Sequence, residues 1–338
     1  MRAFALAFAV FALVAVAASY AARASLERAL STPRDPAGVP RLIDVPDGER
    51  TPALLRRLQR EGLVASGWLM ALYGASLREA RPLVPGEYRL GPGLTPIQLL
   101  ERVERGLRHE HTVALRPGMT VSEVAEVLAA ERLVASEAFV RAAEDPELAR
   151  RLGIRGPTVE GFLFPDVWAL PRRLGAEALI RRLTGAFFEA VPSLGATADR
   201  LGLTPYQFVI LASLVERGPV PAEERRLYAA LLLERLQQGY ALESAAADAY
   251  GRARRGAPAD PREDPWNTTD RVGLPATPIG SPGLAALRAT AEPADTEPLF
   301  MVRRGGGRHV FCPDVPCYLQ ALARHVPGQA PRFPLRER

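Results

Sequence analysis

Pro205-Tyr206-Gln207-Phe208-Val209-Ile210-Leu211-Ala212-Ser213-Leu214-Val215-Glu216, followed at once by Arg217-Gly218-Pro219, is the stretch on which the reading of this chain turns. Apolar side chains cover nearly the whole circumference of a helix wound through it, and a helix apolar all round is a buried one. Arg217, Gly218 and Pro219 are stop signals, so Glu216 stands at the end of a buried helix. Two effects raise the pKa of a carboxyl there: partial desolvation, and the negative end of the helix dipole. A protonated carboxyl near neutral pH is what a general acid requires. Arg217 acts in the opposite sense if it pairs with Glu216, and an exposed helix-end glutamate is the plainer alternative.

Downstream, Pro221 to Gln238 forms a second helix, with a proline in its first turn, Glu223 and Glu224 early and Gly239 beyond its end. Trp266-Asn267-Thr268-Thr269 is a polar loop, in which Trp266 taken alone is better read as buried than as a sugar platform. Leu299-Phe300-Met301-Val302 and His309-Val310-Phe311 flank a glycine and arginine run and predict a β-hairpin. No strand-to-helix phosphate-loop context surrounds those glycines, and a lone strand histidine such as His309 is more often packing or surface. Cys312 and Cys317 have four residues between them; in an exported chain they can form a disulfide if their Cα atoms approach within about 7 Å. Two thiols make an incomplete zinc site, so no metal is assigned.

Upstream, Glu160-Gly161-Phe162-Leu163-Phe164-Pro165-Asp166 reads as a buried turn whose two acids serve structure, through hydrogen bonds that pin the entry of a domain. Earlier still the chain carries a weak repeat at a spacing of 70. Asp47-Gly48 to Ser66 parallels Pro117-Gly118 to Ser136, and each copy follows a strand-like stretch, Leu42 to Val45 or Thr112 to Leu115. Leu54, Leu55 and Leu58 match Val124, Ala125 and Leu128, and both copies close on Leu-Val-Ala-Ser. Two copies are too few for a solenoid, so they predict two small strand–helix modules. Between them lie a further strand, Pro85 to Leu90, and a short helix from Pro96 to Val103 that ends at Gly106.

At the amino end, Ala3 to Ala22 is an uncharged, largely apolar run behind Arg2, long enough to span a bilayer. A cleavable signal peptide is the competing reading, with Ala22-Arg23-Ala24 as its small-x-small site. The run is long for a signal core and an arginine sits in the middle of that site, which favours an uncleaved anchor with the bulk of the chain outside the cytoplasm. Ser31 to Pro40, with three prolines, reads as a tether. The 338 residues exceed one ordinary core and predict two or three domains. The chain has no lysine, so its net charge of +5 rests on arginine. That charge favours acidic partners, but acids are interspersed throughout and no nucleic-acid-binding signature accompanies them, so nucleic acid is not expected as a partner.

Several segments together resemble the MltG/YceG-like family of endolytic murein transglycosylases. The Glu160 to Asp166 turn resembles the opening of that family's catalytic domain, and Leu211-Ala212-Ser213-Leu214-Val215-Glu216 resembles its signature, which implies Glu216 as the catalytic residue. The match continues through Glu224-Arg225 to Arg235-Leu236. It resumes at Trp266-Asn267-Thr268 and at Gly273-Leu274-Pro275-Ala276-Thr277-Pro278-Ile279-Gly280-Ser281-Pro282-Gly283. His309 resembles a position near the cleft. The likeness covers most of residues 160–312 and reaches more weakly back to about residue 41, where the two modules look LysM-like.

To the transmembrane anchor (1–24) and linker (25–40) read from composition, the resemblance adds an α+β fold of a first LysM-like module with its connecting strand and helix (41–108), a second module (109–159) and a catalytic domain (160–330). It further implies a lytic transglycosylase of the cytoplasmic membrane, needing no cofactor. Its substrate would be peptidoglycan glycan strands, with peptidoglycan synthases as neighbours and Asn267, Thr268 and Glu243 as substrate contacts. The chain also departs from the pattern. Ala245 and Ala246 replace an Asp-Pro pair in Leu242-Glu243-Ser244-Ala245-Ala246-Ala247, and Gly218 stands where a second acid is common. Asp248 is a candidate to compensate. These losses leave open a catalytically weak glycan-binding or scaffold protein.

Overall fold

The computed structural model describes residues 2–65, 81–256 and 260–336. The chain divides into two compact units, Met1–His111 with Pro171–Arg173, and Thr112–Leu170 with Leu174–Arg338. The fold class is mixed α+β, with three two-stranded sheets among the described residues.

The first unit opens with α1 (Arg2–Ser31). Within it Val10–Ser31 is long and apolar enough to cross a membrane. Phe11, Leu13, Val14, Val16 and Tyr20 are exposed, whereas Leu26 and Leu30 at the far end join the core of the unit. The helix therefore runs through the start of the segment expected as a linker. The rest of that segment lies against the unit, through Asp35 N–H to the Pro92 carbonyl at 3.0 Å and Arg34 to the Val64 carbonyl at 3.1 Å. Next come β1 (Arg41–Val45), α2 (Thr51–Arg60), β2 (Gly86–Leu90) and α3 (Pro96–Glu104). β1 pairs antiparallel with β2, Ile43 opposite Tyr88. Leu54, Leu55 and Leu58 on one face of α2 pack with Leu99, Leu100 and Val103 of α3, the spacing an amphipathic helix on a sheet requires.

β3 (Glu110–Ala114) leads into the second unit, followed by α4 (Val121–Ala130), α5 (Ser136–Ala143), α6 (Pro146–Arg151) and β4 (Val167–Pro171), which pairs with β3. The repeat read in the sequence is present in the backbone. Gly48 and Gly118 both have positive φ, and α2 and α4 stop in the same way. Leu63 N–H reaches back to the Leu58 carbonyl and Leu133 N–H to Leu128, with Gly62 and Arg132 in the left-handed region just before. This double-bonded stop satisfies carbonyls that the last turn would otherwise leave open. Ser66, the last residue of the first copy, lies outside the described residues.

The remaining helices are α7 (Ala176–Ala190), α8 (Leu194–Arg200), α9 (Pro205–Glu216), α10 (Arg225–Gln237), α11 (Ala245–Arg255) and α12 (Leu284–Ala291), closed by a hairpin of β5 (Phe300–Gly305) and β6 (Arg308–Cys312) and by α13 (Val315–His325). One core runs from Val113 and Leu128 through Phe162 and Phe187 to Leu211 and Leu287. The second strand–helix module thus shares its core with the segment after residue 160, and the unit continues across the boundary expected there. A smaller cluster of Phe300, Val302, Tyr318 and Leu322 closes the hairpin against α13, and Cys312 and Cys317 are joined in a disulfide with Cα atoms 5.5 Å apart.

Candidate functional site

The start of α9 is fixed by a reciprocal cap: Thr204 accepts from Gln207 N–H while the Gln207 side chain accepts from Thr204 N–H, and Pro205 fills the first helical position. From Phe208 to Val215 every residue is buried. Ser213, the polar member of that run, donates to the Ile210 carbonyl at 2.7 Å and accepts from Ile279 N–H at 3.1 Å. The helix is thereby tied to the Pro278 to Gly283 strap.

That strap and the Pro117 to Thr120 turn meet beside the end of α9. Gly118 N–H donates to the Ser281 carbonyl and Ser281 N–H to the Met119 carbonyl, both at 2.8 Å. Gly280 packs so closely that a Cβ there would fall 2.4 Å from the Gly118 carbonyl oxygen. Glu216 sits against this junction with its side chain only 7% exposed, which removes the exposed-glutamate alternative. Gly283 N–H donates to its Oε2 at 3.0 Å, and Arg225 Nη2 to its Oε1 at 3.0 Å. Arg217 turns the other way and donates to the Ile279 carbonyl at 2.9 Å. The cation on Glu216 is therefore Arg225, nine residues on, at the first position of α10. No helical spacing announces that pairing, because the chain reverses at Pro219 to Pro221. Next to Arg225, Glu224 accepts from the His309 backbone N–H at 3.1 Å and meets its Nδ1 at 2.9 Å, so His309 is buried and paired.

Beyond Arg217 lies a cavity of about 240 Å³ walled by Pro219, Tyr228, Arg235, Glu243, Ala245 and Ala246. Glu243, held at a positive φ of 53°, meets Arg235 at 2.9 Å. Ala245 and Ala246, where the pattern has Asp and Pro, open this wall. At Gly218 a Cβ would stand 2.4 Å from Tyr228 Cε1. The Tyr228 ring thus occupies the room that a second acid's side chain would need to leave the backbone.

The loop expected to hold sugars is committed to itself. Asn267 donates to the Pro261 carbonyl and to Asp270, and its side-chain oxygen accepts from Thr269 and Asp270 N–H. Thr268 is 1% exposed; its hydroxyl accepts from Ser244 N–H at 2.9 Å and its N–H donates to Asp248 at 2.8 Å. Asp248 also accepts from the Thr269 hydroxyl at 2.6 Å, so it anchors this loop to the start of α11. Trp266 is buried and donates to Thr277 at 2.9 Å. Among the described residues, no hydrogen bond joins Asn267 or Thr268 to Glu216, whereas Glu243 shares a cavity wall with Arg217.

Glu160 does pin an entry. Both its oxygens accept from Val121 N–H at 3.2 Å, and Oε2 accepts from the Tyr250 hydroxyl at 2.9 Å. Burial pushes its carboxyl up to about 7, against the opposing pull of those donors and of nearby Arg254. Gly161 beside it has φ +88°, and a Cβ there would meet Pro278 Cβ at 2.5 Å, so the turn admits only glycine. Asp166 differs from expectation: it is exposed and accepts from its own neighbour, Val167 N–H, at 2.7 Å. Its place after Pro165, at the start of β4, carries it out of the core.

The fold is mixed α+β, and at the end of its apolar helix α9 a nearly buried glutamate is held by an arginine and a backbone N–H. The chain belongs to the YceG-like family, whose model matches residues 43–324. It is 24% identical over 295 residues to proteins named endolytic murein transglycosylase from two Streptococcus pneumoniae strains, D39 and R6. The match takes in 77% of this chain and 53% of each relative, so the chain spans about half the length of the curated relatives it matches. The fold is also similar to the crystal structure of a yceG-like protein from Listeria monocytogenes, with TM-score 0.53 and 16% identity over 84% of this chain and 99% of that one.

Proposed function

We propose that this chain is a membrane-anchored endolytic murein transglycosylase, which cleaves the β-1,4 bond between N-acetylmuramic acid and N-acetylglucosamine within glycan strands. The observation that carries this reading is the Glu216 carboxyl, held between Arg225 and Gly283 N–H in a chain that matches the YceG-like family over most of its length. Most glycosidases need two carboxyls. A substrate whose own acetamide supports the positive charge developing at C1 needs one. Protonated Glu216 donates to the glycosidic oxygen and the C1–O bond breaks. The resulting carboxylate then takes the proton of the muramoyl 6-hydroxyl as that oxygen bonds to C1. The product is a 1,6-anhydro end, and no water is consumed. Arg225 and Gly283 N–H suit this cycle because they face the charge that appears on Glu216 as it gives up its proton.

Glu243, on the cavity wall, is assigned to substrate contact. Asn267 and Thr268 act through the loop they hold. The two strand–helix modules are read as LysM-like glycan-binding elements. The exposed apolar length of α1 suits a single-pass anchor in the cytoplasmic membrane, with the rest of the chain on the outer side beside the peptidoglycan synthases.

A second reading keeps the fold as a weakly catalytic glycan-binding scaffold. It draws support from Ala245, Ala246 and Gly218. Incubating the chain with uncrosslinked glycan strands and weighing the new ends separates the two. The transglycosylase reading expects ends one water lighter than reducing sugars, and more of them in Ala245→Asp if the lost acid limits turnover. Strand binding with no new ends supports the scaffold.

A further inference from the structure

His109 and His111 lie two apart in the segment that enters β3, so their side chains fall on one face of an extended chain. Glu87 of β2 stands beside them, tied to the same segment by the His109 N–H to Glu87 carbonyl bond at 2.6 Å. The donor atoms of these three side chains lie within 4.8 Å of one another. Glu87 is 8% exposed and the two imidazoles are half-buried. All three residues belong to the first unit, as does Arg172.

We propose that Glu87, His109 and His111 form a binding site for a divalent transition-metal ion, zinc foremost. Two imidazoles and one carboxylate are a donor set suited to that ion and unsuited to calcium or magnesium, which favour oxygen ligands. Each side chain is poised for the role. Glu87 Oε2 meets His111 Nε2 at 2.6 Å, while its other oxygen is held by Arg172 at 2.8 Å. Arg172 therefore orients the carboxylate and leaves Oε2 toward the imidazoles, as outer partners of metal-binding carboxylates do. The ring nitrogens of His109 make no hydrogen bond among the described residues; the ring packs edge-on to His111 at 4.8 Å. The His109 imidazole thus stands beside the bonded His111–Glu87 pair with its ring nitrogens available as donors to a metal. At zinc bond lengths of about 2.0–2.1 Å, tetrahedral ligands sit about 3.3 Å apart, so Glu87 and His111 need separate by less than 1 Å. The ion's fourth position falls to water. Bound there, it links β2 to a segment 24 residues further on, which is a stabilising clamp.

This site does not depend on the transglycosylase reading, and its test reads binding rather than turnover. The full chain in detergent, stripped with a chelator, is titrated with zinc ions against a chromophoric competitor, and cobalt ions are added separately to read coordination. One zinc per chain with Kd below about 1 µM is expected, together with the visible bands of tetrahedral cobalt and a rise in Tm. His109→Gln removes a ring that makes no hydrogen bond among the described residues, so its metal-free Tm should match wild type while its affinity falls about 100-fold or more. Arg172→Gln should weaken binding less, about 10-fold. Absence of stoichiometric binding, or His109→Gln and Glu87→Gln proteins that bind zinc as wild type does, overturns the site and places any ion elsewhere.

Discussion

Two carboxyls in the second unit are buried to different ends. Glu160 is wholly enclosed, with donors from Val121 and Tyr250, and its pKa of about 7 is set chiefly by desolvation. Its ordinary value is 4.5, so the folded state holds the proton more tightly than the unfolded chain. The folded protein therefore loses stability as pH rises from 4.5 to about 7 and stays penalised above that. At about 1.4 kcal/mol per pH unit the span amounts to roughly 3 kcal/mol. Wild type should melt at a lower temperature at pH 8 than at pH 5, while Glu160→Gln, which can still accept from Val121 and Tyr250, should melt at nearly the same temperature at both. Glu216 has charge-bearing company instead. Replacing Arg225 with leucine should lower kcat about 100-fold with KM little changed, since the loss falls on the charge developing in the transition state. Comparable kcat in the Arg225→Leu protein would remove Arg225 from the cycle. The position of Glu216 at the end of a buried helix was legible from the apolar run and the Arg-Gly-Pro stop. Its partner was not, because Arg225 approaches only after the chain turns back through two prolines, Pro219 and Pro221. Nor was the inward commitment of Asn267 and Thr268, because a polar loop residue bonds its own backbone as readily as a ligand.

At the level of elements, α2 and α4 make a natural comparison. Both stop on a left-handed residue followed by an inward leucine, glycine at Gly62 but arginine at Arg132 with φ 55°. A side chain in that region costs about 1 kcal/mol, which glycine avoids. Arg132 is exposed, so Arg132→Gly should raise stability by about 0.5–1 kcal/mol in urea unfolding with the m-value unchanged, whereas Gly62→Arg should do the reverse. The repeat at spacing 70 was readable from matching leucines, and the hairpin from its glycine run. What sequence left out was how the second copy is used. Val113, Val124 and Leu128 face the same core as Leu211 and Leu287, and apolar periodicity states that a face is buried without stating against what.

For the whole molecule, the exposed apolar stretch of α1 and the partly buried Leu26 and buried Leu30 divide one helix into two roles. The chain should sediment with membranes and resist extraction by high salt. Removing residues 2–24 should release it in folded form. Extending the deletion through Ser31 takes Leu30 out of the core and should cost about 2 kcal/mol more, read as a lower denaturant midpoint. Solubility of the full chain without detergent would contradict the anchor. The fold class and the family were legible from the motifs between residues 160 and 312; the extent of α1 was not, since prolines at Pro33 and Pro36 suggested a tether where the chain packs closely.

The most direct measurement compares the rate at which wild type and Glu216→Gln create 1,6-anhydromuramoyl ends on glycan strands, with the Tm of both proteins recorded. Loss of a lone acid and base predicts a fall of about 1,000-fold or more with the fold retained. A Glu216→Gln protein within a few-fold of wild type, or a wild type that leaves reducing ends, would contradict the assignment.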